Sequence, residues 1–339
     1  MQRAQSTDLS EFVLRPSPDE VRCTHILFHA RHATDSSPER RQRYGYPVVE
    51  HAVILKTLRD LGFKVTPGSD PEDLLGPLDC DFIFTMHTQA SYEGHELFAP
   101  VLAAFRGIPF IGAPAPIRAI AEDKVLGKHV AASIGLEVAE HHLINPLRLD
   151  VADFWLPGRW IIKPRGGCDS VAVALVEGQR AWRDALAAAA DPRHEGRGFI
   201  AEAFVPGLNL TVPVIEGLPA QSLAVFEEHG RKGDNILDQA GKIGHSNDYS
   251  AEPYFGPGAE QASAAAARMA AALSPFDYAR FDFRYDPDAE RLVYLEGNIV
   301  CSLGPATVVA RAAELCGIDY PSLVGHLVTR SLRRQRMEL

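Results

Sequence analysis

The chain has 339 residues, enough for two or three domains of ordinary size. Its 46% apolar and 23% charged composition is that of a folded globular protein and excludes a disordered or fibrous one. With 34 basic against 44 acidic residues the net charge is -10, which argues against nonspecific attraction to phosphate backbones and so against nucleic acid as a partner. The 5 cysteines form no CxxC pair, so neither a disulfide scaffold nor a zinc ribbon is expected. No apolar run reaches the roughly 18 residues that span a bilayer. The first residues lack the apolar core of a signal peptide, and the expected location is the cytoplasm.

Residues 1–20 are polar, carry Pro16 and Pro18, and read as a tail or a strand leading into the first domain. An apolar run at 24–29 fits a buried strand. The polar stretch 30–45 is long for a connector, which makes it a candidate functional loop. Apolar residues at helical spacing predict a helix over 47–61, closed by Gly62. Strands are expected at 63–65, 81–86 and 108–112, with a helix over 97–105 before the last. Strand and helix alternate here as in a parallel α/β sheet. Beyond it the pattern predicts one helical region over 119–134 and strands at 141–144, 160–164 and 171–176. A helix at 181–190 follows, then strands at 199–204, 209–215 and 220–227. A helix over 259–273, strands at 278–285 and 292–295, and helices at 306–316 and 320–333 complete the chain.

No P-loop, no strand-GxGxxG-helix, no HExxH and no GxSxG occurs. The strongest local signal is Arg280-Phe281-Asp282-Phe283-Arg284, whose alternation puts the polar residues on one face of a strand. Pro287-Asp288 supplies a turn toward Leu292-Val293-Tyr294-Leu295-Glu296-Gly297-Asn298. Paired, the two strands bring Asp282, Glu296 and Asn298 together, hard oxygen ligands suited to Mg²⁺ with phosphates. The same spacing also fits a solvated hairpin with ordinary salt bridges. Upstream, Lys163 ends an apolar strand before a glycine-bearing loop (Arg165-Gly166-Gly167-Cys168-Asp169). A lysine and backbone N–H groups there suit phosphate oxygens, and equally a plain surface turn. Glu202 to Val212 reads as a hairpin about Pro206-Gly207. His25, His29 and His32 lie close in sequence, but strand geometry spreads them too far for one ion without a bend. Cys168 and Cys301 border these motifs without a legible histidine partner and read as packed thiols.

In order, Glu122-Asp123-Lys124, Lys163-Pro164, Glu202 to Gly207, Arg280 to Asp282 and Glu296 to Asn298 resemble the ATP-grasp superfamily, specifically the D-alanine–D-alanine ligase group. Gly107 to Gly112, leading to Asp123-Lys124 and Lys128, matches the family's approach to its first phosphate lysine. The resemblance runs over about 82–305 and implies α/β and α+β architecture, with an N-terminal parallel-sheet domain and two lobes sandwiching ATP. The implied divisions are a tail at 1–20, a substrate domain at 21–116, a small lobe at 117–197 and a large lobe at 198–333. It implies an ATP-dependent carboxylate–amine ligase that makes an acyl-phosphate and then an amide, between two molecules or within one. Lys124 and Lys163 would bind phosphates. Glu202 and the backbones of Ala203 and Val205 would hold adenine, with Asn209 at the ribose position. Asp282, Glu296 and Asn298 would hold Mg²⁺ or Mn²⁺. Arg280 and the lid lysine Lys242 would be catalytic, and His87, Asp169 and Ser302 would face the substrate.

The chain departs from the family at Ile243, Asp169 and Asn209, in the loop 30–45, and in Ile299 to Gly304. These departures cluster at the substrate and predict an amino-acid-type substrate other than D-alanine. Expected partners are such small molecules, not nucleic acid or membrane, and a homodimer stays open. Two other readings also stay open: a small-molecule kinase, and a non-catalytic ATP-binding regulatory protein.

Overall fold

The computed structural model describes residues 7–39, 42, 46–86, 97–144, 155–166, 173–190, 198–217, 219–230 and 250–337. His87, Asp169, Ile243 and Lys242 lie outside them, as do Cys168 and part of the 30–45 loop.

The segment expected as a tail or a leading strand instead ends in a short helix and is strapped to the far end of the chain. Ser17 and Glu20 form a capping box that starts helix α1 (Pro18–Arg22). Leu9 N–H donates to the Cys316 carbonyl at 2.8 Å, and Leu14 N–H to His326 Nδ1 at 3.0 Å. Next come β1 (His25–His29), α2 (Tyr46–Asp60), β2 (Lys64–Gly68) and β3 (Phe82–Thr85), the strands pairing in parallel in the order β2-β1-β3. Ile26, Phe28, Phe82 and Phe84 are buried with Ile54 and Leu58 of α2, the near-continuous apolar reading of a sheet covered on both faces. Helix α3 (Phe98–Phe105) follows. The strand expected at 108–112 meets the sheet only at the Phe110–Ile83 bridge. Pro109 has no N–H to donate, and Gly112 at φ +96° turns the chain away.

The single helical region expected at 119–134 is two helices, α4 (Ala115–Glu122) and α5 (Lys124–Ser133). Asp123 breaks the run in an extended conformation, and its carboxylate accepts Val125 N–H at 2.9 Å and Leu126 N–H at 3.2 Å. The small lobe is an antiparallel sheet of β4 (His141–Ile144), β5 (Arg159–Pro164), β6 (Ala174–Glu177) and, after helix α6 (Gly178–Ala189), β7 (Phe199–Ala203), in the order β4-β7-β5-β6. Trp182 and Leu186 of α6 pack on Trp160, Ile162 and Phe199. The expected lobe boundary at 198 therefore falls before a strand that pairs inside the small lobe.

The large sheet contains β8 (Leu208–Ile215), β9 (Gln221–Ser222), β10 (Phe226–His229), β11 (Ser250–Pro253), β12 (Tyr278–Asp286) and β13 (Arg291–Asn298), ordered β11-β10-β8-β12-β13 with β9 on β8. The strand expected at 220–227 is thus split, and β11 is additional. Helix α7 (Ala259–Leu273) lies on one face, where Ala262, Ala266 and Ala270 allow close approach to Val212, Phe281 and Phe283. Burying each of those phenylalanines contributes about 2 kcal/mol. Helices α8 (Val308–Leu315) and α9 (Tyr320–Met337) return to the first domain, where Val309, Leu323 and Leu327 share a core with Ile26 and Phe84.

Candidate active site between the two lobes

Antiparallel pairing sets Asp282 of β12 opposite Glu296 of β13, and Arg280 opposite Asn298. Tyr294 pairs with Phe283 and Glu296 with Asp282, so Leu295 is an extra residue, a β-bulge. The expected grouping of Asp282, Glu296 and Asn298 on neighbouring strands is present. Asp282 accepts from Thr211 Oγ1 at 2.6 Å, Asn298 Nδ2 at 3.0 Å, and Arg280 Nε and Nη2 at 3.0 and 2.9 Å. Burial raises the Asp282 pKa, and the neighbouring Glu228 and Glu296 add to this against the pull of Arg280. Burial works against the Arg280 guanidinium, but Asp282 and Glu228 hold its pKa above the ordinary value.

Lys124 opens α5, the positive end of the helix macrodipole, where a cation is locally disfavoured and an anion favoured. Its Nζ lies 3.6 Å from Glu296 Oε2. The helix start is tied to the end of β5: Lys124 N–H donates to the Arg165 carbonyl at 3.0 Å, and the Arg165 guanidinium grips Asp123 at 2.8 and 2.7 Å.

Glu202 of β7 lies between two lysines. Lys128 Nζ is 2.5 Å from its Oε2 and Lys163 Nζ is 3.4 Å from its Oε1. Burial opposes the Glu202 charge, but the two lysines outweigh it and hold the carboxyl below its ordinary value. Burial pushes the fully buried Lys128 ammonium down, against the pull of Glu202. Lys128 also donates to the Leu295 carbonyl at 2.9 Å, a group on the bulged residue, and so links β7 to the strand that carries Glu296.

On the opposite side of the hairpin turn, Ala203 N–H donates to the Glu140 carbonyl at 2.8 Å. Arg284 donates to the Val205 carbonyl at 2.9 Å and to Asn209 Oδ1 at 2.7 Å. Asn209 Nδ2 donates to the Glu228 carbonyl at 3.1 Å, so both ends of its amide are bonded within the fold. Phe204 lies under Arg159 at 4.3 Å and Arg284 at 5.4 Å, measured to the ring centroid. Ser302 is exposed, four residues after Asn298, and bonds to Glu50.

Four cations, Lys124, Lys128, Lys163 and Arg280, thus meet four carboxylates, Glu202, Glu228, Asp282 and Glu296, with Glu202 shared by two lysines and Arg280 shared by two acids. Lys128, Glu228 and Arg284 were not picked out as site residues from the sequence. Lys128 was legible only as part of the stretch matching the family's approach to its first phosphate lysine, four residues after Lys124, with no role attached to it. For Glu228 there is only an acid in phase with the buried Phe226. Among the described residues, no group of three His, Cys, Asp or Glu side chains is set to hold a metal ion. The oxygen set here is two carboxylates and an amide, which suits a hard cation that brings phosphate oxygens as further ligands. The three clustered histidines are engaged within the fold: His25 bonds Thr66 at 2.8 Å, His29 the Asp70 carbonyl at 2.9 Å, and His32 stacks on His51. Burial pushes the Cys301 thiol up to about 12, which fits a packed thiol and not a nucleophile.

No protein-family model matches the chain. A D-alanine–D-alanine ligase of Acidiphilium cryptum is 32% identical over 240 residues, covering 68% of this chain and 74% of the relative. One from Gluconobacter oxydans is 28% identical over 296 residues, 85% of this chain and 94% of its own. The D-alanine–D-alanine ligase of Bacillus anthracis complexed with ATP superposes with a TM-score of 0.70 at 19% identity, over 93% of this chain and 99% of that one. The VanG D-Ala:D-Ser ligase of Enterococcus faecalis gives 0.71 at 13% identity, over 91% and 99%. Among the described residues no helix is long and apolar enough to cross a membrane.

Proposed function

This chain belongs to the D-alanine–D-alanine ligase family, within the ATP-grasp superfamily, and we propose that it joins a carboxylate to an amine of amino-acid-type substrates using ATP. The observation that carries the reading is the register of β12 on β13. It sets Asp282 and Glu296 opposite each other, with Arg280 bound to one and Lys124 to the other.

In this reading Lys124 and Lys163 bind the phosphates, while Glu202 and the Ala203–Val205 backbone hold the adenine. Asp282, Glu296 and Asn298 would hold Mg²⁺ or Mn²⁺, which when bound offsets charge on the β- and γ-phosphates. The even balance of cations and carboxylates favours a triphosphate that arrives with its metal over a bare one. The substrate carboxylate attacks the γ-phosphorus and ADP leaves. The amine then attacks the acyl carbon, inorganic phosphate leaves, and the amine gives up a proton. Arg280 offsets charge on the phosphoryl group in flight and on the tetrahedral intermediate, and the lobes exclude water from the acyl-phosphate.

The departure from D-alanine expected from the sequence is not supported. Asp169 and Ile243 lie outside the described residues, Asn209 is engaged within the fold, and the relatives carry the D-alanine name across most of the chain. D-alanine is therefore the first substrate to test, within a panel of amino acids supplied singly and in pairs. ADP and free phosphate released in equal amounts support the ligase. A stable phosphorylated product without free phosphate identifies a kinase, and binding without turnover a regulatory protein. Asp282→Asn and Glu296→Gln are expected to abolish turnover while leaving the fold intact, and near-normal ADP release by both would remove the metal assignment.

A further inference from the structure

Glu50 sits on α2 of the first domain, on the helix face turned to the core, with only 3% of its surface exposed. Its Oε1 accepts two consecutive backbone N–H groups, from Leu303 at 2.5 Å and Gly304 at 2.9 Å, and the Ser302 hydroxyl also bonds to it. Paired N–H groups of this kind form an anion-binding concavity, filled here by a side chain from another domain. The same segment is held at further points. Tyr278 Oη donates to the Cys301 carbonyl at 3.1 Å, and Thr307 Oγ1 to the Gly304 carbonyl at 2.7 Å. Tyr46, one turn before Glu50, bonds to the backbone of Ala306. A Cβ added at Gly304 would lie 2.3 Å from Tyr46 Oη and 3.0 Å from Glu50 Cγ, so a side chain there would displace the Tyr46 ring and press on Glu50.

A buried acid on a helix face that packs on apolar residues breaks the local pattern, and such breaks concentrate at functional sites. Residues 302–304 lie four to six residues beyond Asn298, which ends the strand that also carries Glu296. Through them Glu50 ties the first domain to the backbone that continues from that strand. We propose that Glu50 is a positioning residue for the amino-acid substrate. By gripping residues 302–304 it fixes the backbone that continues from Asn298 and sets the first domain against the end of that strand. The inference rests on the ligase reading given above.

The test compares Glu50→Ala, Glu50→Gln and Glu50→Asp with wild type in ADP release, with KM measured separately for ATP and for the amino acid, and with Tm measured for each. Glu50→Ala should raise the amino-acid KM by about tenfold or more, the scale of losing a charge-assisted pair of bonds, while the ATP KM stays within about twofold. Glu50→Gln keeps an oxygen at the same reach and should recover most of the loss. Glu50→Asp withdraws the carboxylate by one methylene and should resemble Glu50→Ala. It carries the comparison if the alanine variant does not fold. Unchanged amino-acid constants in a folded Ala or Asp variant overturn the proposal. So does a parallel decline of ATP and amino-acid constants with Tm, which marks a purely structural role. A wild-type protein that turns over no member of the panel would instead refute the ligase reading itself.

Discussion

Lys128→Met removes the ammonium from the only fully buried lysine among the described residues and leaves its carboxylate behind. In the folded protein Lys128 lies 2.5 Å from Glu202 and 2.9 Å from the Leu295 carbonyl. Deleting one partner of a buried pair costs roughly 3–5 kcal/mol, because the survivor is an uncompensated charge. Here Lys163 stays 3.4 Å from Glu202, and methionine fills most of the volume, so the lower end applies: about 3 kcal/mol. At roughly 2 °C per kcal/mol for a chain of this size, Tm should fall by about 6 °C. Adding Glu202→Gln removes the stranded charge, while Lys163 keeps Glu296 and Asp282 as charge partners. Denaturant titration of the nucleotide-free protein should therefore find the double variant more stable than Lys128→Met, with a coupling of about 1.5 kcal/mol or more. Nucleotide affinity should also drop in the single variant, since Glu202 loses the group that orients it. A loss below about 1 kcal/mol, or a double variant no more stable than the single one, would refute the view that Lys128 ties Glu202 of β7 to the strand that carries Glu296.

Gly207→Ala should yield little folded protein, or protein that has lost nucleotide binding. At φ +108° the added Cβ would meet the Tyr285 carbonyl at 2.0 Å, and rigid strand backbone cannot give way, so normal expression and normal nucleotide affinity would contradict this. Glu20 is held at about 2, below its ordinary 4.5, first by its hydrogen bond to Arg333 of α9 and then by its bonds to Ser17. A depressed carboxylate contributes stability that is present above 4.5 and lost as pH falls toward about 2. Glu20→Gln should therefore flatten the acid limb of the stability curve in that window, and an unchanged limb would discount the clasp. His326 accepts from Leu14 N–H and has its pKa lowered by burial, so its stabilising contribution is complete above the ordinary 6.5 and declines as pH falls below it. Exchange of the Leu14 amide should accelerate from pH 7 to pH 5 beyond the intrinsic trend, and a constant protection factor would count against the strap.

The site was legible where it depends on local periodicity. Two strands of period two joined by a Pro-Asp turn bring Asp282 toward Glu296, whatever else the chain does. Asp123-Lys124 was legible as a motif, though not as a helix break, because apolar spacing runs through the junction and only the Asp123 cap reveals the stop. The capping box at Ser17 and Glu20 was also in plain view, hidden by the expectation of a tail. What stayed invisible needs partners distant in sequence. Glu227 and Glu228 are adjacent acids, and only the pairing of Glu228 with Asn209 on β8 decides which one faces Arg280. The bulge at Leu295 cannot be located by counting residues between strands, yet the carbonyl that Lys128 takes belongs to the bulged residue.

Broken local rules recur through this chain, and they do not all mark function. Asp277 is non-glycine at φ +72° and fully buried, as anomalous as any of the described residues. Its carboxylate is nevertheless answered entirely by the scaffold: Gly112 N–H at 2.6 Å, Arg334 at 3.1 Å, and the Ser331 hydroxyl. Lys124 differs, because its partner is Glu296, itself one of the oxygens on the β12–β13 face. Its position at a helix N-terminus favours an anion over the cation the helix carries. Glu50 stands between the two, engaged like Asp277 but with backbone that leads straight from Asn298. What distinguishes a site from architecture is thus where the partners of an anomalous group lead. Those of Asp277 lead into the core, and those of Lys124 and Glu50 lead to the strand that carries Glu296 and Asn298.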